Sequence, residues 1–192
     1  MVMSFPAQQG TIFVWSSLGV LWLVGAFTTK RTTRAQSSAS TIMHLALMTL
    51  AFNLLFNHKV AYWPLALRFL PDGRAVEYSG LALTVVGAAF AACARLWIGS
   101  NWSAVVTIKQ QHQLIQSGPY AIVRHPIYSG FLLAMVGTAI AFGEVRGLVA
   151  VAVAFFGWYQ KIRLEEAFMS EQFGEEYLSY KRRVKALIPF LA

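Results

Sequence analysis

Two groups of side chains in this chain have the types and spacing to do chemistry. The first lies in the run His112 to Gly130, HQLIQSGPYAIVRHPIYSG, where a Ser117-Gly118-Pro119 turn precedes Arg124-His125-Pro126. The second is the adjacent carboxylate pair Glu165-Glu166, close to Lys161 and Arg163. Proline suits the first turn of a helix and forces the residue before it toward extended backbone. Arg124 and His125 are therefore fixed at a helix N-terminus, where the dipole favours an anion such as the carboxylate of a cofactor or substrate. Arg124 snorkelling to a lipid phosphate is the plainer alternative. Adjacent carboxylates at a membrane boundary need cationic partners or a bound cation. Pairing of Glu165 and Glu166 with Lys161, Arg163 or Arg124 would satisfy them without any ligand, so the local pattern leaves both readings open.

Other chemistries are poorly served. His112 and His125 are the only histidines on their face of the chain, and nothing has HExxH-like spacing, so no metal site is expected. Neither a GxGxxG nor a P-loop occurs, which excludes a soluble-type nucleotide domain. The sole aspartate, Asp72, falls on the opposite side of the expected topology, so no Ser-His-Asp set can form. Cys93 is the single cysteine, which rules out a disulfide framework and suggests a small buried hydrophobe.

The elements that must position these residues are membrane helices. The chain has 192 residues, 57% hydrophobic and 12% charged, where a soluble domain would carry about a quarter charged. Mean hydropathy is +0.53. Bilayer-length apolar runs recur, predicting a polytopic all-α membrane protein of about five spans in a single integrated domain. The spans are expected at about Thr11–Phe27, Thr41–Phe56, Ala75–Ile98, Ile127–Phe142 and Leu148–Ile162. No positive charge precedes the first, so it does not read as a cleavable signal. Residues 30–40 read as a solvated loop, and 57–75 as a loop with an amphipathic piece on the membrane surface. His44 and Asn53 are expected to make helix-packing hydrogen bonds. Gly80 and Gly87 in the third span and Gly130 and Gly137 in the fourth suit close helix contact. Glu77 and Arg95 should reach the interfaces, and Gly143–Gly147 should turn the last two spans into a hairpin. The tail from Arg163 should be helical, broken at Phe173-Gly174, and end before Pro189.

With the N-terminus outside, twelve basic residues fall inside and four outside, in accord with the positive-inside rule. The 112–130 run and the tail then share the cytoplasmic face. The net charge of +8 lies mostly beside apolar segments, which points to membrane orientation and anionic lipid rather than nucleic acid.

The pattern Asn101-Trp102-Ser103, His112-x-Leu114, Gly118-Pro119-Tyr120, Arg124-His125-Pro126-x-Tyr128-x-Gly130, Glu165-Glu166, Phe173-Gly174 and Tyr177-x-x-Tyr180 resembles the isoprenylcysteine carboxyl methyltransferase family, itself similar to the phospholipid N-methyltransferases. The resemblance covers roughly residues 75–190, so 75–192 reads as the methyltransferase core and 1–74 as N-terminal helices and loops. Gln110-Gln111 departs from the pattern only in a loop. The resemblance implies a cytosolic connector and C-terminal helices enclosing S-adenosylmethionine, released as S-adenosylhomocysteine. It places His112, Leu114, Gly118, Tyr120, His125, Pro126 and Tyr128 along the cofactor pocket, closed by Glu165 and Glu166. A carboxylate acceptor, prenylcysteine-like and lipophilic, needs a cation to orient it, either Arg163 or Arg124. An amine acceptor, as in a phospholipid headgroup, needs a base, for which Glu165 is the candidate. The carboxylate is favoured. A membrane reductase using NADPH has a similar RHPxY-like pattern but is generally longer. A non-enzymatic scaffold binding anionic lipid through Lys181, Arg182, Arg183 and Lys185 leaves the gathered polar residues unexplained.

Overall fold

The computed structural model describes residues 5–27, 32–35, 37–102, 107–109 and 114–189. Five long helices form the bundle: α1 (Phe5–Ala26), α2 (Ser38–Phe56), α3 (Arg74–Ile98), α5 (Pro126–Phe142) and α6 (Val145–Phe173). The single-turn α4 (Pro119–Ile122) precedes α5, and α7 (Glu175–Arg183) follows α6. By length and composition α1, α2 and α3 can each cross a membrane, while α5 is a shorter apolar helix of 17 residues. At 1.5 Å per residue α5 covers about 25 Å, close to the thickness of a hydrocarbon core.

Local chemistry sets the helix ends. Ser37 caps α2, its hydroxyl accepting from the Ser40 N–H at 3.3 Å. Gly143, in the left-handed region at φ 68°, closes α5 and leads directly into α6, giving the hairpin its minimal turn. Helix α6, where the fifth span was expected, is not among the described helices that are long and apolar enough to cross a membrane. It runs unbroken for 29 residues to Phe173, about 43 Å, and carries Glu165 and Glu166 on the same rod as the apolar stretch before Ile162. The break at Gly174 and the end of α7 at Arg183 agree with the sequence reading.

The tightest seam joins α3 and α5 through the expected glycines. A Cβ at Gly80 would lie 2.6 Å from the Gly137 carbonyl oxygen, and one at Gly87 would lie 2.6 Å from that of Gly130. The converse contacts, at Gly130 and Gly137, are 2.7 Å. Backbone therefore packs on backbone in antiparallel register at two levels a heptad apart. Between those levels Thr84 meets Thr138 at 3.2 Å, and the Trp15 indole of α1 donates to Thr138 at 3.0 Å.

Elsewhere α1 packs on α3, and α2 on α6. The core is correspondingly double. One cluster gathers Ala51, Leu55, Met135, Ala150, Ala154 and Trp158; the other gathers Ala94, Tyr120 and Ile127. Half-buried Tyr128 and Phe131 touch both.

Several expectations give way. Arg95 does not reach an interface: it is buried, donating to the Gly25 carbonyl at 2.7 Å and the Gly99 carbonyl at 3.0 Å, with its guanidinium over Trp102. Those contacts tie the end of α1 to the end of α3. Cys93 is exposed on α3, because the small-residue face of that helix is occupied by Gly80, Gly87 and Ala91. No amphipathic helix forms between 57 and 75. Instead Leu65, Leu67 and Phe69 exchange backbone hydrogen bonds with Gly143, Val145 and Arg146. The presumed loop at 30–40 contains β1 (Thr32–Ala35), paired antiparallel with β2 (Thr107–Lys109). The buried Nδ1 of His44 has no hydrogen-bond partner among the described residues, and Asn53 accepts from Asn57, the cap of its own helix, at 3.2 Å.

Replacing Gly87 with valine forces branched carbon against the Gly130 carbonyl and should destabilise the bundle by about 1–3 kcal/mol, the usual cost of overpacking. Thermal unfolding in detergent checks this, with exposed Gly19, whose Cβ would meet nothing within 4 Å, as the neutral control.

Candidate functional site

At the end of the bundle where α1 meets Arg95, the entrance of α5, the extension of α6 and α7 converge on two carboxylates. Pro126 opens α5, and His125 precedes it with φ −123°. Gly118 opens α4 at φ 59°, where glycine is favoured, and a Cβ there would lie 2.7 Å from Trp97 Cδ2, so that ring would also have to shift. The chain after α7 returns alongside this entrance. The Arg124 N–H donates to the Lys185 carbonyl at 2.8 Å, His125 N–H to Ala186 at 3.0 Å, and the Ser129 hydroxyl to Leu187 at 2.6 Å.

Glu166 is the hub. Its Oε1 accepts from Arg124 Nη2 at 2.5 Å and Nε at 3.0 Å, and faces His125 Nε2 at 3.3 Å. Its Oε2 pairs with Lys181 Nζ of α7 at 2.6 Å. The remaining Arg124 nitrogen donates to the Lys181 carbonyl at 3.2 Å and to that of Val184. Glu165 sits one residue deeper in the network: Tyr128 Oη donates to it at 2.6 Å, and His125 Nδ1 lies 3.4 Å away. The His125 and Tyr128 rings stack at 5.7 Å. Buried Lys161, one turn before Glu165, places its ammonium 5.7 Å from the centre of the Tyr128 ring. On the other flank Tyr180 of α7 donates to the Tyr120 carbonyl at 2.6 Å.

Charge state follows from these contacts. Burial opposes ionisation of both glutamates. Hydrogen bonds from His125, Lys181 and Arg124 outweigh it at Glu166, which is held well below the usual carboxylate range. At Glu165 the bond from His125, the Lys161 charge and the Tyr128 hydroxyl likewise prevail, and its pKa is lowered. Burial pushes His125 down, but its bonds to Glu165 and then Glu166 raise it above the ordinary value of 6.5. A doubly protonated imidazolium, donating from both nitrogens, fits between two carboxylates. The arrangement is a buried anionic pair under a cationic cover, with one cation, Lys161, set deeper toward the apolar layer.

The family model described as phospholipid methyltransferase matches residues 76–176, a segment running from the start of α3 to the start of α7. The chain belongs to the phospholipid methyltransferase family. Among curated members of this group it is similar to the probable protein-S-isoprenylcysteine O-methyltransferase of Oryza sativa subsp. indica, 34% identical over 119 residues, 60% of this chain and 62% of that one. It is also similar to protein-S-isoprenylcysteine O-methyltransferase B of Arabidopsis thaliana, 31% identical over 115 residues, 58% of each chain. The Mus musculus protein-S-isoprenylcysteine O-methyltransferase is 31% identical over 153 residues, 71% of this chain and 54% of that one. The chain thus spans from about half to three-fifths of the length of these relatives. Its fold resembles the solved eukaryotic intramembrane Ras methyltransferase ICMT (isoprenylcysteine carboxyl methyltransferase) with a TM-score of 0.57 and 23% identity, covering 83% of this chain and 55% of that one. The chain is accordingly an integral membrane protein of the family's polytopic helical fold.

Of the residues singled out in the sequence, the structure brings together Arg124, His125, Pro126, Tyr128, Glu165 and Glu166. Tyr120 lies buried beside α7, and half-buried Leu114 and exposed Gly118 lie in the approach to α4. His112 lies outside the described residues. Arg163 is exposed on α6, away from the carboxylates, whereas Lys161, two residues earlier, faces them. The sequence named Lys161 only as a possible ion-pair partner; helical phase, one turn from Glu165 on the same face, is the signal that would have placed it inside. At the other end of the bundle, Arg146 is one of the four basic residues that the charge count assigns to the outer side. It is 1% exposed and caps α2 by donating to the Leu54 carbonyl at 3.0 Å and that of Leu55 at 2.9 Å, while also meeting Glu144 and His58.

Removing one member of the buried pair, by Arg124→Leu, should cost about 3 kcal/mol, the lower end for such pairs because Lys181 stays with Glu166. Arg124→Leu with Glu166→Leu together should cost less than the sum of the singles, as a double-mutant cycle in detergent would measure. The signs of the shifts also set a pH profile. The carboxylates contribute stability above their ordinary 4.5 and lose it as pH falls through their depressed values; His125 contributes below 6.5 and loses it as pH rises through its raised value. The cluster's contribution should peak between 4.5 and 6.5, with the alkaline decline abolished by His125→Gln, as melting at stepped pH would reveal.

Proposed function

We propose that this protein is an integral membrane methyltransferase that uses S-adenosylmethionine to methylate the carboxylate of an isoprenylcysteine-like lipophilic acceptor. The observation that carries the reading is the buried pair Glu165-Glu166, kept ionised at the membrane boundary, with Lys161 one turn deeper. The donor set fits the cofactor. Glu165, engaged by Tyr128 and His125, offers an anionic surface to the cationic end of S-adenosylmethionine. Glu166 acts at one remove, holding His125 and Arg124 in place. The methyltransferase core is residues 75–192, and residues 1–74 add the two helices that face the acceptor.

When bound, the cofactor would supply a methyl carbon activated by its sulfonium, transferred in line to the acceptor oxygen with loss of the neutral thioether. An ionised carboxylate needs no base, so the protein's tasks are alignment and exclusion of water. Lys161 is the cation best placed to orient that carboxylate, since it is buried at the apolar boundary beside Tyr128. Arg124 has all three guanidinium nitrogens engaged by Glu166, Lys181 and Val184, and Arg163 is exposed. The depressed pKa of Glu165 makes it a weak proton acceptor, which disfavours an amine acceptor such as a phospholipid headgroup. The family match likewise disfavours NADPH chemistry.

The charge distribution supports the N-terminus outside and the site and C-terminus in the cytoplasm, with twelve basic residues on the inner side. Exposed Arg183 and Lys185 at the end of α7 would then rest on anionic headgroups. Calorimetric titration with S-adenosylhomocysteine should show binding by the solubilised protein that Glu165→Gln weakens at least tenfold. Lys161→Ala should retain binding yet lower methyl transfer about 100-fold, the scale for losing one oriented charge. Folded wild-type protein that takes up no S-adenosylhomocysteine would overturn the reading.

A further inference from the structure

His44 is the only ionisable side chain on α1 and α2, and neither helix falls within the family match at 76–176. An ionisable group inside a membrane span is costly and points to function. A histidine kept for packing alone would satisfy both ring nitrogens. His44 is half-buried, yet its Nδ1 is fully covered and meets no hydrogen-bond partner among the described residues. Helix register shows what the ring faces. Ala51 and Leu55 of α2 share a core with Ala150 and Ala154 of α6. A Cβ at Gly157 would lie 2.7 Å from Met48 Cε and 3.4 Å from Leu47 Cβ, so the two helices run antiparallel. One turn nearer the site, His44 on α2 comes level with Lys161 on α6. Its ring lies within electrostatic reach of Lys161 and, more weakly, of Glu165. Tyr128 of α5 completes the group: its hydroxyl donates to Glu165 at 2.6 Å, and its ring centre lies 5.7 Å from the Lys161 ammonium.

We infer that His44 is a further recognition residue for the methyl acceptor, its Nδ1–H donating to the carboxylate that Lys161 orients. The inference rests on the carboxyl methyltransferase reading above. The two side chains hold an acid in different ways. Lys161 supplies charge on a flexible stem, whereas the imidazole N–H is a single directed donor on a short side chain. The directed bond fixes one acceptor oxygen, and with it the rotation of the carboxylate, leaving the other oxygen to attack the methyl carbon in line. No proton moves: the imidazole keeps its N–H, the carboxylate becomes the ester, and the cofactor leaves as its thioether. The acceptor also supplies the partner that the covered nitrogen lacks among the described residues. Rotation about the Cβ–Cγ bond, a broad torsion in histidine, brings that nitrogen to the acid.

The test uses protein in phosphatidylcholine vesicles with N-acetyl-S-farnesylcysteine as acceptor. The competitor is N-acetyl-S-farnesylcysteamine, which has the same tail and no carboxylate. His44→Leu should lower kcat/KM for the acid about 10–100-fold, the scale for one hydrogen bond to a charged group, and leave the inhibition constant of the cysteamine within about twofold. His44→Asn, whose amide nitrogen takes the place of Nδ1, should stay within about threefold of wild type. Binding of S-adenosylhomocysteine reports an intact fold. His44→Phe, which keeps a ring without a donor, replaces His44→Leu if that variant loses this binding. Equal weakening of acid and cysteamine, or wild-type kcat/KM in the donor-free variant, overturns the inference while leaving the reaction standing. Wild type that binds S-adenosylhomocysteine yet methylates no acid overturns the carboxyl reading and this inference with it.

Discussion

Glu166 cannot be buried as a charge alone, and the way it is neutralised determines how the whole site-bearing end is built. Its three partners come from two places: Arg124 and His125 at the entrance of α5, and Lys181 on α7. Desolvating these ions is costly and is offset only while every partner is in place. The ion cluster therefore specifies where the tail must dock, more than it adds stability. Docking brings Tyr180 onto the Tyr120 carbonyl and Leu187 onto Ser129, closing the flank of the site. Glu165 is thereby left facing inward, with Tyr128 and His125 fixing its orientation.

That cluster sits at the correct depth because of the glycine seam. Backbone contact between α3 and α5 at two levels fixes the height of Pro126, and the minimal turn at Gly143 fixes α6 relative to α5. The rigid extension of α6 then carries Lys161 at the apolar boundary and the carboxylates just beyond it. The polar chemistry and the membrane geometry are one construction.

Much of this was legible in the sequence. The glycines a heptad apart, Pro126 after Arg124-His125, and Glu165-Glu166 beyond an apolar run each carry a local physical signal, and the positions they implied hold. The misplacements share a cause. Arg95 and Arg146 were read as surface charges because nothing local announces that carbonyls at the ends of α1 and α2, far away in sequence, will accept their protons. That Arg163 is exposed while Lys161 is buried is a matter of helical phase, legible only once α6 is known to continue unbroken past Ile162. The pairing of β1 with β2 involves residues more than seventy positions apart and short polar strands with no period to detect.

The central claim is that the buried cation and carboxylates serve transfer of a methyl group to an acid and not to an amine. Purified protein in vesicles, given S-adenosylmethionine labelled in the methyl group together with N-acetyl-S-farnesylcysteine and phosphatidylethanolamine, tests it directly. The account predicts label on the farnesylated acid, released as volatile methanol by alkali because it is an ester. Alkali-stable label on the amine lipid, or no transfer to either, would contradict it.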